Sequence, residues 1–222
     1  MAQSKTRKRT NPPSPKRSPG RPAAGRDGNT KEELLLAAID AFGAYGFDGV
    51  SLSQISGKAG TDIGLTRYYF GSKEDLWRAA INHLAANLGQ EIDDVIQMSQ
   101  GSAAEDMKAV IRWFVDMSAR WPQLSRIIVF DGNEEDGRGR HVATALVKPF
   151  YTLMSDLIDR SKKEGAIADV PTRTLFFLIT HGGSFPMALP ALTNQFPGGD
   201  INSTKSLNAH ADAIIKLVFA DQ

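Results

Sequence analysis

Residues 46–76 read GFDGVSLSQISGKAGTDIGLTRYYFGSKEDL, and this stretch decides how the first part of the chain folds. Ser51 and Asp62 are typical N-cap residues, and each precedes a short run that is compatible with a helix. Gly60 lies between the two runs, where a residue with a left-handed backbone ends a helix and turns the chain. The pattern predicts a helix-turn-helix, the arrangement that places its second helix in the major groove of DNA.

Helical patterns continue on both sides of this stretch. From Lys31 onward apolar residues recur at spacings of three and four, which predicts a first helix with Thr30 as its N-cap. Ser72, with Asp75 three residues later, forms a loose capping box before a long helix over about residues 73–98.

The stretch resembles the DNA-binding segment of the TetR family of bacterial regulators. The matching features keep one register over residues 31–77 and are Gly46-Phe47, Ser51, Ile55, Ala59-Gly60, Tyr69-Phe70 and residues 72–76. The resemblance implies an all-α protein of about nine helices, with a three-helix headpiece over residues 31–77 and a ligand-binding and dimerisation domain over residues 78–222. It also implies a homodimer that reads a near-palindromic double-stranded operator and that an unidentified small molecule releases from it.

Several side chains of the headpiece are suited to contact DNA. Ser51 and Ser53, at the start of the second helix, offer donors to a phosphate. Arg67 on the third helix can make a bidentate contact to guanine. For Tyr69, core packing beside Phe70 is the alternative to a DNA contact. The predicted DNA-contacting residues are Ser51, Ser53, Gln54, Asp62, Gly64, Leu65, Arg67, Tyr68, Tyr69, Lys73 and Arg21.

Residues 1–30 differ in composition from the rest of the chain. They contain eight basic side chains, one acidic side chain and five prolines, but no Leu, Ile, Val or aromatic residue. Such a segment cannot bury enough apolar surface to fold, so we expect a disordered basic arm. It is either a solvated tail or a DNA-contacting arm, and Gly20-Arg21-Pro22 resembles the core of a minor-groove hook.

The second part of the chain reads as further helices. We expect a loop over residues 131–140, and a helix buried on every side where Leu175 to Ile179 are all apolar. Pocket candidates are Trp113, Met117, Phe150, Met154, Phe177 and His181, with ordinary core packing as the alternative for each. By the family resemblance the last two helices form the dimer interface, and its candidates are Phe176, Gly182, Leu207, Ala211, Ile214 and Val218.

Composition excludes several other classes of protein. The chain has no Cys, which rules out disulfides, thiolate metal sites and cysteine nucleophiles, and its four His residues lack metal-type spacing. We therefore expect neither an enzyme nor a cofactor or metal. No apolar run reaches the roughly 18 residues that span a bilayer, so we expect a cytoplasmic, nucleoid-associated protein. The remaining alternative is a TetR-like factor that organises DNA or docks a protein and has no inducer. A filled core would favour this alternative.

Overall fold

The computed structural model describes residues 26–99, 101–132 and 137–219, and these residues form helices and no strand. The all-α prediction is therefore confirmed for the described residues. Most of the predicted arm, including Arg21, lies outside them. No helix in the described ranges is long and apolar enough to cross a membrane.

Three helices form the N-terminal headpiece: α1 (Arg26–Tyr45), α2 (Leu52–Lys58) and α3 (Ile63–Phe70). The N-cap predicted at Thr30 is wrong, because α1 already begins at Arg26 and an N-cap needs an extended backbone. Helix α1 is followed by Gly46, which has a φ of 70° and donates its N–H to Phe42 O at 2.8 Å.

The remaining helices form the larger C-terminal part. They are α4 (Lys73–Ser99), α5 (Ala103–Arg120), α6 (Pro122–Asp131), α7 (Gly137–Val142), a π-helical segment (Ala143–Val147), α8 (Lys148–Lys163), α9 (Thr172–Ala188), α10 (Pro190–Thr193) and α11 (Thr204–Val218). The described residues thus form ten helices when the continuous run from α7 to α8 is counted once, close to the expected nine. The loop predicted over residues 131–140 is wrong at its end, since Gly137 to Arg140 belong to α7.

Helix α5 lies at the centre of the C-terminal part and contacts α4, α8, α9 and α11. Helix α1 packs against both α4 and α6, so one buried cluster continues from Leu34 and Ile55 in the headpiece to Leu84 and Ile127 beyond it. The headpiece is therefore joined to the C-terminal part by a shared core, and its position depends on α4 and α6.

Helix α9 is not buried on every side, contrary to the sequence-based expectation. Leu175, Phe176 and Ile179 face the core, whereas Phe177 and Leu178 are exposed in the single chain. An apolar run identifies a surface that avoids water, but it does not tell whether the same chain or another molecule covers that surface.

Candidate DNA interface and ligand cavity

A complete capping box begins α2. The N–H of Gln54 donates to Ser51 Oγ at 3.3 Å, and the N–H of Ser51 donates to Gln54 Oε1 at 2.8 Å. Each side chain satisfies a backbone N–H that has no partner within the helix. Ser51, Ser53 and Gln54 are all exposed at this helix end, where phosphate contacts are predicted.

The turn between α2 and α3 has the chemistry expected from the sequence. Gly60 has a φ of 67°, and the N–H of Thr61 donates to Ser56 O at 3.0 Å, which ends α2. Asp62 then caps α3, because its Oδ1 accepts from the N–H of Leu65 at 2.9 Å. The two caps fix the angle between the helices.

A buried pair of hydroxyl groups joins the two helices, and the sequence analysis missed it. Ser56 Oγ and Thr66 Oγ1 lie 2.7 Å apart, and both residues are almost fully buried. Thr66 lies one turn before the inward residue Phe70, so helical periodicity could have placed it on the inner face. A hydrogen bond between two buried side chains specifies this helix contact more narrowly than apolar packing alone.

The outer face of α3 carries the predicted base-reading residues. Arg67 is exposed, Tyr68 is 82% exposed, and Leu65 is partly exposed. Tyr69 is half-buried and packs against the core, with its ring centroid 6.3 Å from that of Phe70. The face presented to solvent thus combines one guanidinium, one phenol and one apolar side chain.

Lys73 fixes the headpiece in a way that the sequence did not predict. Its Nζ donates to Phe47 O at 2.9 Å and to Val50 O at 3.1 Å, and it lies 4.2 Å from the centroid of the Phe47 ring. Lys73 therefore ties the start of α4 to the loop between α1 and α2. An ammonium has three donors, so one is left for the predicted phosphate contact.

A cluster of charged and aromatic side chains occupies the junction between headpiece and C-terminal part. Arg138 on α7 forms two ion pairs. Its Nε lies 3.2 Å from Asp131 Oδ1, and its Nη1 lies 3.8 Å from Glu74 Oε2. Its guanidinium carbon also lies 4.2 Å from the Phe47 ring centroid. The contacts of Arg138 thus join the end of α6 to the start of α4 and to the headpiece loop.

A large cavity lies between α1, α4, α5, α6, α8 and α9, with a volume of about 690 Å³ and mostly apolar walls. Five of the six predicted pocket residues line it: Trp113, Met117, Phe150, Phe177 and His181. The prediction for Met154 is wrong, because this side chain is fully buried in the core outside the cavity. His181 is exposed beside Phe177, so the alternative of a buried core histidine is also wrong.

Trp113 is held in the cavity wall by hydrogen bonds between α4 and α5. Its Nε1 donates to Glu91 Oε2 at 3.0 Å, and Arg120 donates to both oxygens of Glu91 at 3.0 and 2.6 Å. The hydrogen bonds from Arg120 lower the pKa of Glu91, while partial burial opposes this shift. The indole is thereby kept in one orientation.

The predicted dimer-interface residues divide into two groups. Phe176 and Ala211 are each only 3% exposed in the single chain, so they present little surface to a partner. Gly182 is exposed, and Leu207, Ile214 and Val218 are half-buried. Larger exposed apolar groups that the sequence analysis missed lie on the same two helices, with Leu178 66% and Leu217 80% exposed.

Comparisons with known proteins identify the N-terminal segment. Residues 31–80 match the family model described as bacterial regulatory proteins, tetR family. The chain is 28% identical over 173 residues to the HTH-type transcriptional regulator RutR of Escherichia coli K12. This alignment covers 73% of this chain and 78% of RutR.

Solved structures share the architecture of the described residues. HlyIIR, a hemolysin II transcriptional regulator, aligns with a TM-score of 0.69 and 17% identity, over 88% of this chain and 99% of its own. AibR, solved with isovaleryl coenzyme A and operator DNA, aligns with a TM-score of 0.68 and 17% identity, over 87% of this chain and 100% of its own. At these identities the similarity shows the fold.

Proposed function

We propose that the chain is a transcriptional regulator of the TetR family, a homodimeric repressor that a small molecule releases from a near-palindromic operator. Residues 31–77 bind the DNA, while residues 78–222 bind the effector and form the dimer. Such a protein works on the nucleoid in the cytoplasm. The observation that carries the effector part of this proposal is the 690 Å³ apolar cavity between the helices that support the headpiece.

The outer face of α3 supports sequence-specific reading. Arg67 is the basic side chain of this face, and a bidentate contact to a guanine edge discriminates against other bases by about 1–3 kcal/mol. Tyr68 and the serines at the start of α2 are suited to phosphate contacts, which position a protein without reading sequence.

The cavity favours an effector-responsive protein over a TetR-like factor without an inducer. Its volume lies within the range of about 300–1,000 Å³ that is typical of small-molecule sites. A protein that only organised DNA would need no such space between α4 and α6. AibR, which has the same fold, was solved with both a coenzyme A ester and operator DNA, in agreement with this assignment.

A continuous set of contacts can transmit cavity occupancy to the headpiece. Helix α6 lines the cavity from Leu124 to Phe130 and ends at Asp131, which binds Arg138. Arg138 in turn lies against the Phe47 ring of the headpiece loop. An effector that displaces α6 changes the angle of the headpiece, and by linkage DNA and effector weaken each other's binding by the same factor.

The exposed apolar face of α9 and α11 supports the homodimer. Leu178 on α9 and Leu217 on α11 are 66% and 80% exposed in the single chain, and neither lines the cavity. Gly182, in the middle of the α9 stripe, has no heavy atom within 4 Å of the position a Cβ would occupy. The partner's helices can therefore approach closely there.

The proposal is tested by a mobility shift with the DNA upstream of the protein's own gene. We expect a discrete complex that resists competitor DNA. Arg67→Ala should abolish this complex and leave weak, salt-sensitive binding to any DNA. Arg160→Ala is the matched control, because it removes an exposed arginine of α8 that pairs with Asp156 on the same helix. An equal loss of specific and non-specific binding in Arg67→Ala would refute base reading by this residue.

A further inference from the structure

The charged groups that line the cavity are few, and they lie on different helices, Arg126 on α6 and Asp93 on α4. Among the described lining residues Arg126 is the only Lys or Arg, and Asp93 is the only carboxylate. Arg126 donates hydrogen bonds to the carbonyl oxygen of Ala188 at the C-terminal end of α9. Asp93 is exposed on α4 and follows the buried Ile92.

From this arrangement we infer the chemical class of the effector: an amphipathic anion, with a long apolar body along α9 and a carboxylate-type head on Arg126. The inference rests on the proposed effector function of the cavity. It adds an assignment for Arg126, which the sequence analysis did not single out.

Arg126 is held in place and keeps donors for a ligand. Its Nε and Nη2 donate to the Ala188 carbonyl oxygen at 2.9 and 2.7 Å, which uses two of the five N–H donors of the guanidinium. No ion pair joins Arg126 to any carboxylate in the part of the chain that the structure describes. The three remaining donors can bind an anionic head end-on, in the geometry that arginine favours for carboxylates.

The remainder of the cavity fits an apolar chain. The lining part of α9 runs from Phe176 to Ala188, which corresponds to about 18 Å of helix. Aromatic side chains form the wall at the Phe176 end of this segment, because the Phe150 ring centroid lies 6.0 Å from that of Phe176 and 6.0 Å from that of Trp113. Each methylene buried there strengthens binding by roughly fourfold.

The test uses n-alkyl probes below their critical micelle concentrations, with tryptophan emission as the signal because Trp113 and Trp121 both line the cavity. For the wild type we expect dodecanoate to bind at least about tenfold more tightly than dodecanol, since a hydrogen bond to a charged group is worth about 1.5–3 kcal/mol. Octanoate, decanoate and dodecanoate should bind with increasing affinity, by about sixteenfold per pair of methylenes.

Arg126→Gln should abolish the preference for the carboxylate and leave the affinity for dodecanol unchanged. The retained dodecanol affinity shows that the cavity of the variant is intact. Arg173→Gln is the matched control, because Arg173 is an exposed residue of α9 that does not line the cavity, and it should behave as the wild type.

The outcomes separate the effector class from the proposed function. Equal binding of dodecanoate and dodecanol by the wild type, or a carboxylate preference that survives in Arg126→Gln, overturns the anionic head. Absence of binding by all the probes overturns the amphipathic class, while the mobility shift still tests the DNA-binding function independently. If dodecanoate binds through Arg126 but leaves the operator complex intact, the ligand class stands and effector-controlled release is refuted.

Discussion

The crossing of α1 over α6 offers the sharpest test of how the headpiece is supported. Gly43 on α1 is buried where the two helices meet, and a Cβ added there would lie 2.5 Å from Gln123 Cβ and 2.9 Å from Gln123 Cα. A hydrogen bond of 2.6 Å from Gln123 Nε2 to Asp40 Oδ1 also joins the helices at this point. Gly43→Ala therefore forces α1 and α6 apart.

The size of the effect follows from two opposing terms. Carbon atoms pack at about 3.5–4.0 Å, so the helices must separate by roughly 1 Å. Overpacking of this kind costs about 1–3 kcal/mol. Alanine regains at most about 1 kcal/mol of helix propensity relative to glycine. We expect a net destabilisation of about 1–2 kcal/mol, which lowers the melting temperature by roughly 2–8 °C in a chain of this size.

Gly89→Ala is the matched control, because Gly89 is also a helical glycine that lines the cavity, but no heavy atom lies within 4 Å of its added Cβ. This variant should gain up to about 1 kcal/mol. Both variants are compared with the wild type by thermal melting at one protein concentration. A Gly43→Ala variant as stable as the wild type would refute the argument that this close approach fixes the headpiece.

Three further predictions concern other parts of the chain. Burial and the positive charge of Arg78 lower the pKa of His141. The contribution of His141 to the free energy of unfolding is therefore complete above about pH 6.5 and is lost as the pH falls through the lowered pKa. His141→Phe should flatten the pH dependence of the urea midpoint across this range. Leu178→Glu should yield monomers in light scattering, because it places a charge on the exposed α9 stripe, and a persistent dimer would exclude this interface. Glu91→Gln should lower the free energy of unfolding by about 0.5–1 kcal/mol in low salt and by less in high salt, and it should change the emission of Trp113. A loss of stability that does not depend on salt would argue against the Arg120 ion pair as its source.

The headpiece could be predicted almost completely from the sequence, because its determinants are local. Ser51 and Asp62 cap the two helices within three residues of their partners, and Gly60 takes a backbone conformation that glycine adopts without strain. Ile55 and Phe70, two apolar residues of the pattern that matches the family, are both buried. The start of α1 was misjudged because Thr30 is a favourable N-cap residue type, whereas the helix extends upstream of it to Arg26 through Gly28 and Asn29, which are poor helix formers.

The cavity shows how far residue type alone can lead. Trp113 and Phe150 were chosen as pocket candidates because they are large apolar residues, and both line the cavity. Residue type cannot separate a cavity wall from a core, however, since both consist of such side chains. The same signal misassigned Met154, which packs in the core, and it did not reveal that Phe176 lines the cavity. Arg126 was missed because its partner is the carbonyl of Ala188, 62 residues away, and periodicity carries no such information.

The residue pattern alone therefore suffices for the all-α class and the helix-turn-helix, because their capping groups and turns act over three or four residues. The position of the cavity, the exposed face of α9 and the way Lys73 and Arg138 connect the headpiece to the rest of the chain become visible only in the folded chain. These features depend on contacts between residues far apart in the chain. Such contacts are set by the packing of whole helices, and the local pattern of residues does not encode which side chains meet.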